Sequence, residues 1–138
     1  MTGYLDSSIL LRMVLGEAGA LPNLGFVQRA VSSRLIEAEC LRTLDRLRLQ
    51  GRVDPHELAT RQVQLLRWLD EIDQIAVDDD ILRRVGRPLP VPLGTLDAIH
   101  LATAERHLES DGGPLTLATH DNQLALAARS LGLTVIGV

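Results

Sequence analysis

Residues 115–136 read LTLATHDNQLALAARSLGLTVI, and this stretch decides the fold. Leu115 to Ala118 suits a buried strand, Asp121 to Leu131 carries helical spacing closed by Gly132, and Leu133 to Ile136 is a second strand-like run. A strand, a helix and a strand in 22 residues predict two parallel neighbours, because parallel strands need a crossover of about helix length. The same alternation extends outward. Asp111-Gly112-Gly113-Pro114 reads as the turn into this unit, and a helix from about Thr95 to Leu108 precedes it. Before that, Ile72 to Val77 reads as a strand, and Asp78-Asp79-Asp80 opens a short helix that Gly86 and the prolines 88, 90 and 92 stop.

At the other end, Gly3-Tyr4-Leu5 is a short strand running into Asp6-Ser7-Ser8, which caps a helix through Leu15. Gly16 to Gly25 is a loop, and Arg29 to Ser32 is another short strand. From Ser33, the positions Ile36, Cys40, Leu44 and Leu47 recur at helical spacing until Gly51. Asp54-Pro55 starts a second helix carried by Leu58, Val63, Leu66 and Leu69, so the two form a helical hairpin. Five strands separated by helices predict an α/β fold in three layers, with a central, mainly parallel sheet. The length, 138 residues with 46% hydrophobic, suits one domain over 1–138.

Composition removes several functions. All 14 basic residues are arginine, a bias that a GC-rich genome accounts for. Without lysine there is no P-loop, no Schiff-base chemistry and no kinase-type phosphate clamp. A phosphate-receiving signalling domain lacks its lysine for the same reason, and no GxGxxG follows the first strand to hold a dinucleotide. Cys40 stands alone, so no internal disulfide forms and a reducing compartment is expected. With no signal-like N-terminus and no apolar run near the ~18 residues of a membrane span, a cytoplasmic protein is expected. The net charge of −4 argues against nucleic-acid binding through a global positive field.

Ligands of parallel sheets bind beyond the carboxyl ends of strands, and four carboxylates are candidates to gather there. Asp6 and Asp121 follow strands, Asp97 lies in a first helical turn, and Glu39 sits on the Ser33 helix. Taken singly, Asp6 and Asp121 suit N-caps, Asp97 suits the helix dipole and Glu39 suits a solvated face. Gathered in one pocket, each pair ~4 Å apart would repel by about 4 kcal/mol at an effective dielectric of 20. A divalent cation such as Mg2+ or Mn2+, which takes oxygen ligands, would neutralise them.

The chain resembles the PIN-domain ribonucleases, and among them the VapC-type toxins of toxin-antitoxin pairs. The resemblance rests on Tyr4-Leu5-Asp6-Ser7-Ser8, SRLIEAECLR at 33–42, LDAIHLATA at 96–104, and Thr119-His120-Asp121 before the last helix and strand. It covers nearly the whole chain and implies a PIN-like fold. It also implies that Asp6, Glu39, Asp97 and Asp121 are the acidic metal-binding and catalytic positions, with Ser8 and Thr119 as their polar companions. Glu37 competes with Glu39, and a two-residue step turns a helix by about 200°, so only one faces the pocket. The activity implied is Mg2+- or Mn2+-dependent hydrolysis of RNA. The partners implied are a VapB-type antitoxin and a second copy of the chain. The alternative is a PIN-like module that binds RNA or a protein without cutting.

Arg42 and Arg46 lie three and seven residues beyond Glu39, on its side of the helix, and with Arg12 are the candidates to grip RNA phosphates. Arg83, Arg84 and Arg87 form a second basic group that would serve RNA or solubility. His100, one turn after Asp97, reads as a supporting or structural group, and His120 as a loop residue or an RNA contact. Cys40 reads as core, Asp78 to Asp80 as a cap and solvated face, and Trp68 with Leu69 as core or a subunit contact.

Overall fold

A computed structural model describes residues 1–111 and 113–138. The elements are β1 (Thr2–Leu5), α1 (Ser7–Leu15), β2 (Arg29–Ser33), α2 (Leu35–Leu49), α3 (Pro55–Leu69), β3 (Ile72–Ile75), α4 (Asp79–Val85), α5 (Thr95–Asp111), β4 (Leu115–Ala118), α6 (Asn122–Ser130) and β5 (Thr134–Ile136). The strands form one sheet in the order β3-β2-β1-β4-β5, and every neighbouring pair is parallel. The chain therefore builds outward from β1 in one direction through β3, then returns to its other side for β4 and β5. That reversal, between β1 and β4, is the crevice where open parallel sheets bind ligands. Leu5 and Ala118 are in register there, at the last residue of each strand.

Alternation along β1 assigns the two layers. Leu5 packs with Ile9, Leu10, Cys40, Leu44, Leu65 and Leu69, from α1, α2 and α3 on one face. Tyr4, one residue back, points to the other face, against Leu101, Leu117 and Leu124 from α5, β4 and α6. A third, smaller cluster of Ile81, Ile99 and Ala102 seats α4 on α5. Truncating a fully buried leucine such as Leu117 to alanine is expected to cost about 2–5 kcal/mol. Caps delimit the helices: Asp6, Asp54, Asp78 and Asp121 all accept first-turn amides. Gly16 ends α1 at φ 67°, a left-handed conformation that glycine adopts without strain.

The α/β class and the five strands follow the sequence reading, with three local differences. The buried stripe of α3 is Leu65 and Leu69, with Leu58 and Trp68 partly covered, whereas Val63 and Leu66 are 50% and 46% exposed. Packing against both α1 and α2 selects that stripe, and spacing alone could not choose among so many leucines. The third strand stops at Ile75, whose carbonyl accepts from Arg34 N–H as the chain of β2 turns into α2. Finally, α5 continues to Asp111, so the expected turn begins later, and its Gly112 lies outside the described residues. Among the described residues, no helix is long and apolar enough to cross a membrane.

Candidate active site

Asp6 leaves the end of β1 and is 3% exposed. Its Oδ1 accepts from Ser8 N–H at 3.1 Å, Ser8 Oγ at 2.5 Å and Ile9 N–H at 3.4 Å, while Oδ2 accepts from Thr119 Oγ1 at 2.6 Å. Asp6 is thus both the N-cap of α1 and the link between the ends of β1 and β4. Its companions hold the opposite loop. His120 N–H donates to Ser8 Oγ at 2.8 Å, and Asp121 N–H donates to Thr119 Oγ1 at 2.9 Å. Asp121 caps α6 by accepting Leu124 N–H on Oδ1 at 2.9 Å. Burial raises the Asp6 pKa above the ordinary carboxylate value, and the hydrogen bonds from Ser8 and Thr119 oppose that rise.

Asp97, in the first turn of α5, joins them from the side. Its pKa is also raised, first by burial and then by the charges of Asp121 and Asp6, with a smaller contribution from Glu39. Four carboxylates therefore share one electrostatic environment. Glu39 is the α2 member. It is partly buried and its Oε1 contacts His100 Nε2 at 2.5 Å, whereas Glu37 is exposed. Among the described residues, no arginine pairs with Asp6, Glu39, Asp97 or Asp121. No three His, Cys, Asp or Glu side chains among the described residues stand as a ready-made coordination set. The donors facing the crevice are carboxylate oxygens, the chemistry of a hard cation such as Mg2+ or Mn2+.

The other expected residues separate into those near the crevice and those away from it. Arg42 and Arg46 line a groove of about 400 Å3 with Glu39, Ser7, Thr43 and Leu96. Arg12 is elsewhere: it lies near the far end of α1, with its Nε 3.8 Å from Glu17. Arg84 pairs with Asp80 and Glu109, and Arg87 pairs with Glu105, so these two of the second basic group are engaged in ion pairs. Asp78 caps α4 and pairs with Arg106. Cys40 is fully buried, and burial pushes its thiol far up, which leaves it inert as a nucleophile. His120 Nδ1 contacts the Gly137 carbonyl at 2.7 Å, tying the loop to the chain beyond β5. Trp68 packs against the first core cluster beside buried Leu69.

Tyr4 went unnoticed in the sequence as more than a core residue. It is fully buried, and its hydroxyl contacts His100 Nδ1 at 2.9 Å. Its position two residues before Asp6 is the one signal that could have marked it.

A five-stranded parallel sheet with acidic residues at its switch point defines the class. The chain belongs to the PIN domain family, whose pattern matches residues 3–130. It is 37% identical over 136 residues to Ribonuclease VapC46 of Mycobacterium tuberculosis, covering 96% of this chain and 95% of that protein. It is 31% identical over 140 residues to Ribonuclease VapC35 of the same species, covering 96% and 94%. Two solved structures share the fold. One is VapBC2 from Rickettsia felis bound to a DNA fragment from their promoter, with a TM-score of 0.67 at 14% identity over 99% of this chain and 98% of that one. The other is VapBC-5 from Mycobacterium tuberculosis, a member of the VapBC toxin-antitoxin family, with a TM-score of 0.61 at 19% identity and the same coverage.

Proposed function

We propose that this chain, as one domain over 1–138, is a Mg2+- or Mn2+-dependent endoribonuclease of the VapC type, the toxin of a toxin-antitoxin pair acting in the cytoplasm. The observation that carries the reading is the gathering of Asp6, Glu39, Asp97 and Asp121 at the sheet's switch point with no guanidinium partner among the described residues. So much unpaired negative charge opposes folding and calls for a cation. Membership of the PIN domain family and the ribonuclease names of the relatives point the same way.

In this reading, the four carboxylates hold the cation, which when bound polarises the phosphodiester and acidifies the attacking water. Thr119 and Ser8 fix both oxygens of Asp6, so that the carboxylate is oriented before substrate arrives. Asp121 spends one oxygen on its cap and keeps the other for the site. Arg42 and Arg46 flank the groove beside Glu39 and hold the phosphates on either side of the cut. A VapB-type antitoxin is its protein partner in this reading, supported by the two VapBC structures that share its fold, and a second copy of the chain is the other.

The test is cleavage of a labelled mixed RNA pool by folded wild type and Asp97→Asn, in Mg2+ or Mn2+, with EDTA as control. Cleavage by wild type alone, abolished by EDTA, is expected. Equal cleavage by both would mean a contaminant or a wrong site. No cleavage by either would favour a PIN-like binding module.

A further inference from the structure

Two fully buried polar residues beside the carboxylates have no part in the reading above. Tyr4 hydroxyl lies 2.9 Å from His100 Nδ1, and His100 Nε2 lies 2.5 Å from Glu39 Oε1. The Tyr4 and His100 rings meet edge-on, with centroids 5.9 Å apart and planes at 75°. An ionised carboxylate can only accept a hydrogen bond, so Nε2 carries a proton at this contact. On a neutral imidazole Nδ1 is then the acceptor, and the Tyr4 hydroxyl donates to it. Among the side-chain polar atoms of Tyr4, His100 and Glu39, only Glu39 Oε2 has no partner among the described residues.

The four carboxylates differ in how they are held. Asp6 and Asp121 are short side chains fixed by their own N-caps. Glu39 is longer, lies inside α2 rather than at its end, and caps nothing. Left alone, its three side-chain torsions would sample several rotamers. A donor that cannot itself move removes that freedom. His100 qualifies, being enclosed on α5 and held from behind by Tyr4 of β1, so that the chain ties α2 through α5 to the central strand.

We infer that His100, backed by Tyr4, is the positioning residue for Glu39: its Nε2–H holds one carboxylate oxygen and presents the other to the site. The inference rests on the metal-dependent reading above. The rival is a buried polar pair that serves packing alone. Three substitutions separate them. His100→Leu keeps bulk and removes the donor, His100→Gln can place an amide N–H near Nε2, and Tyr4→Phe removes only the hydroxyl that selects the tautomer.

The experiment uses the full chain, with folding checked by circular dichroism. It reads the protonation of the two His100 ring nitrogens by 15N NMR, Mn2+ affinity by calorimetry, and RNA cleavage as separate kcat and KM. Wild type is expected to show a proton on Nε2. His100→Leu is expected to bind Mn2+ about tenfold more weakly and to lose kcat with KM unchanged. His100→Gln should recover most of that loss, and Tyr4→Phe should fall between. Wild type with the sole ring proton on Nδ1 would overturn the inference. So would His100→Leu binding Mn2+ as wild type does, or a folded His100→Gln without rescue. If His100→Leu does not fold, the decision passes to Tyr4→Phe and His100→Gln. A wild type that binds no Mn2+ overturns the metal reading instead, and the ring nitrogens then decide the positioning claim by themselves.

Discussion

Two carboxylate-rich regions of this molecule have opposite electrostatics. On the outer face of α4 and α5, Asp78 and Asp80, Glu105 and Glu109 meet Arg84, Arg87 and Arg106 in a lattice of ion pairs. Hydrogen bonds from Arg106 and Arg84 lower the pKa values of Asp78 and Glu109 below the ordinary range. At the crevice, Asp6 and Asp97 are raised, by burial first and by neighbouring carboxylates at Asp97. Asp78 and Glu109 of the outer face stabilise the fold as ions, while Asp6 and Asp97 of the crevice are ionised at its expense. A cluster that costs stability and has no arginine partner among the described residues is where an external cation or substrate is to be sought.

The largest expected effect breaks the comparison through activity. Asp121→Asn keeps an N-cap for α6, because asparagine caps as well as aspartate. Cleavage should nevertheless fall by about 100-fold or more, equivalent to ~3 kcal/mol of transition-state stabilisation. Arg84→Ala should do the reverse: cleavage within about twofold of wild type, with a Tm about 2–4 °C lower. RNA cleavage assays and thermal melts of both variants check this. A crevice variant that still cuts would end the distinction between the regions.

Much of the crevice was legible in the sequence, because the signals are local. Asp6 and Asp121 each close a strand and open a helix, and Asp97 heads the LDAIHLATA helix, so chain order alone sends all three to one end of the sheet. The cap reading of Asp6 and Asp121 holds: one oxygen of each accepts first-turn amides, and each stands just beyond the end of its strand. What escaped was tertiary. Tyr4 and His100 are 96 residues apart, His100 and Glu39 61, and no periodicity encodes such contacts. The pairing of Arg84 with Glu109 across 25 residues was hidden in the same way, so its basic group looked available to RNA. The α3 stripe failed for another reason: a leucine-rich helix offers several apolar faces, and the partners α1 and α2 choose among them.

A smaller effect sharpens the comparison through pH. A carboxylate whose folded pKa is raised binds more protons folded than unfolded, so its ionisation destabilises as pH climbs from the unfolded to the folded value. Asp97→Asn should therefore melt about 2–4 °C above wild type at neutral pH. That gap should close as pH falls through the raised pKa of Asp97 toward its ordinary 3.8. Arg84→Ala should show the opposite gap. The lowered pKa of Glu109 contributes stability above its ordinary 4.5, and this is lost only as pH falls below that value through the folded one. Melting curves of the three proteins from pH 7 to about pH 3 measure both gaps. Gaps of the same sign would mean that the crevice charge is compensated after all.

The smallest effect concerns which arginines serve the crevice. Arg42 and Arg46 line the groove beside Glu39, but they are not equally free. Arg42 is 75% exposed and is 3.1 Å from Asp45, while among the described residues Arg46 has no carboxylate partner and lies 3.4 Å from the Thr43 hydroxyl. Each phosphate engaged on a single strand contributes about 0.7 to the slope of log affinity against log salt. Measured in the Asp121→Asn background, to prevent cutting, Arg46→Ala should reduce that slope by about 0.7 and Arg42→Ala by less, because Asp45 already offsets part of its charge. Arg12→Ala and Arg87→Ala should leave the slope unchanged, one being turned toward Glu17 and the other bound to Glu105. The same slope in all four variants would separate the groove from RNA and leave the carboxylates as the crevice's sole contact with substrate.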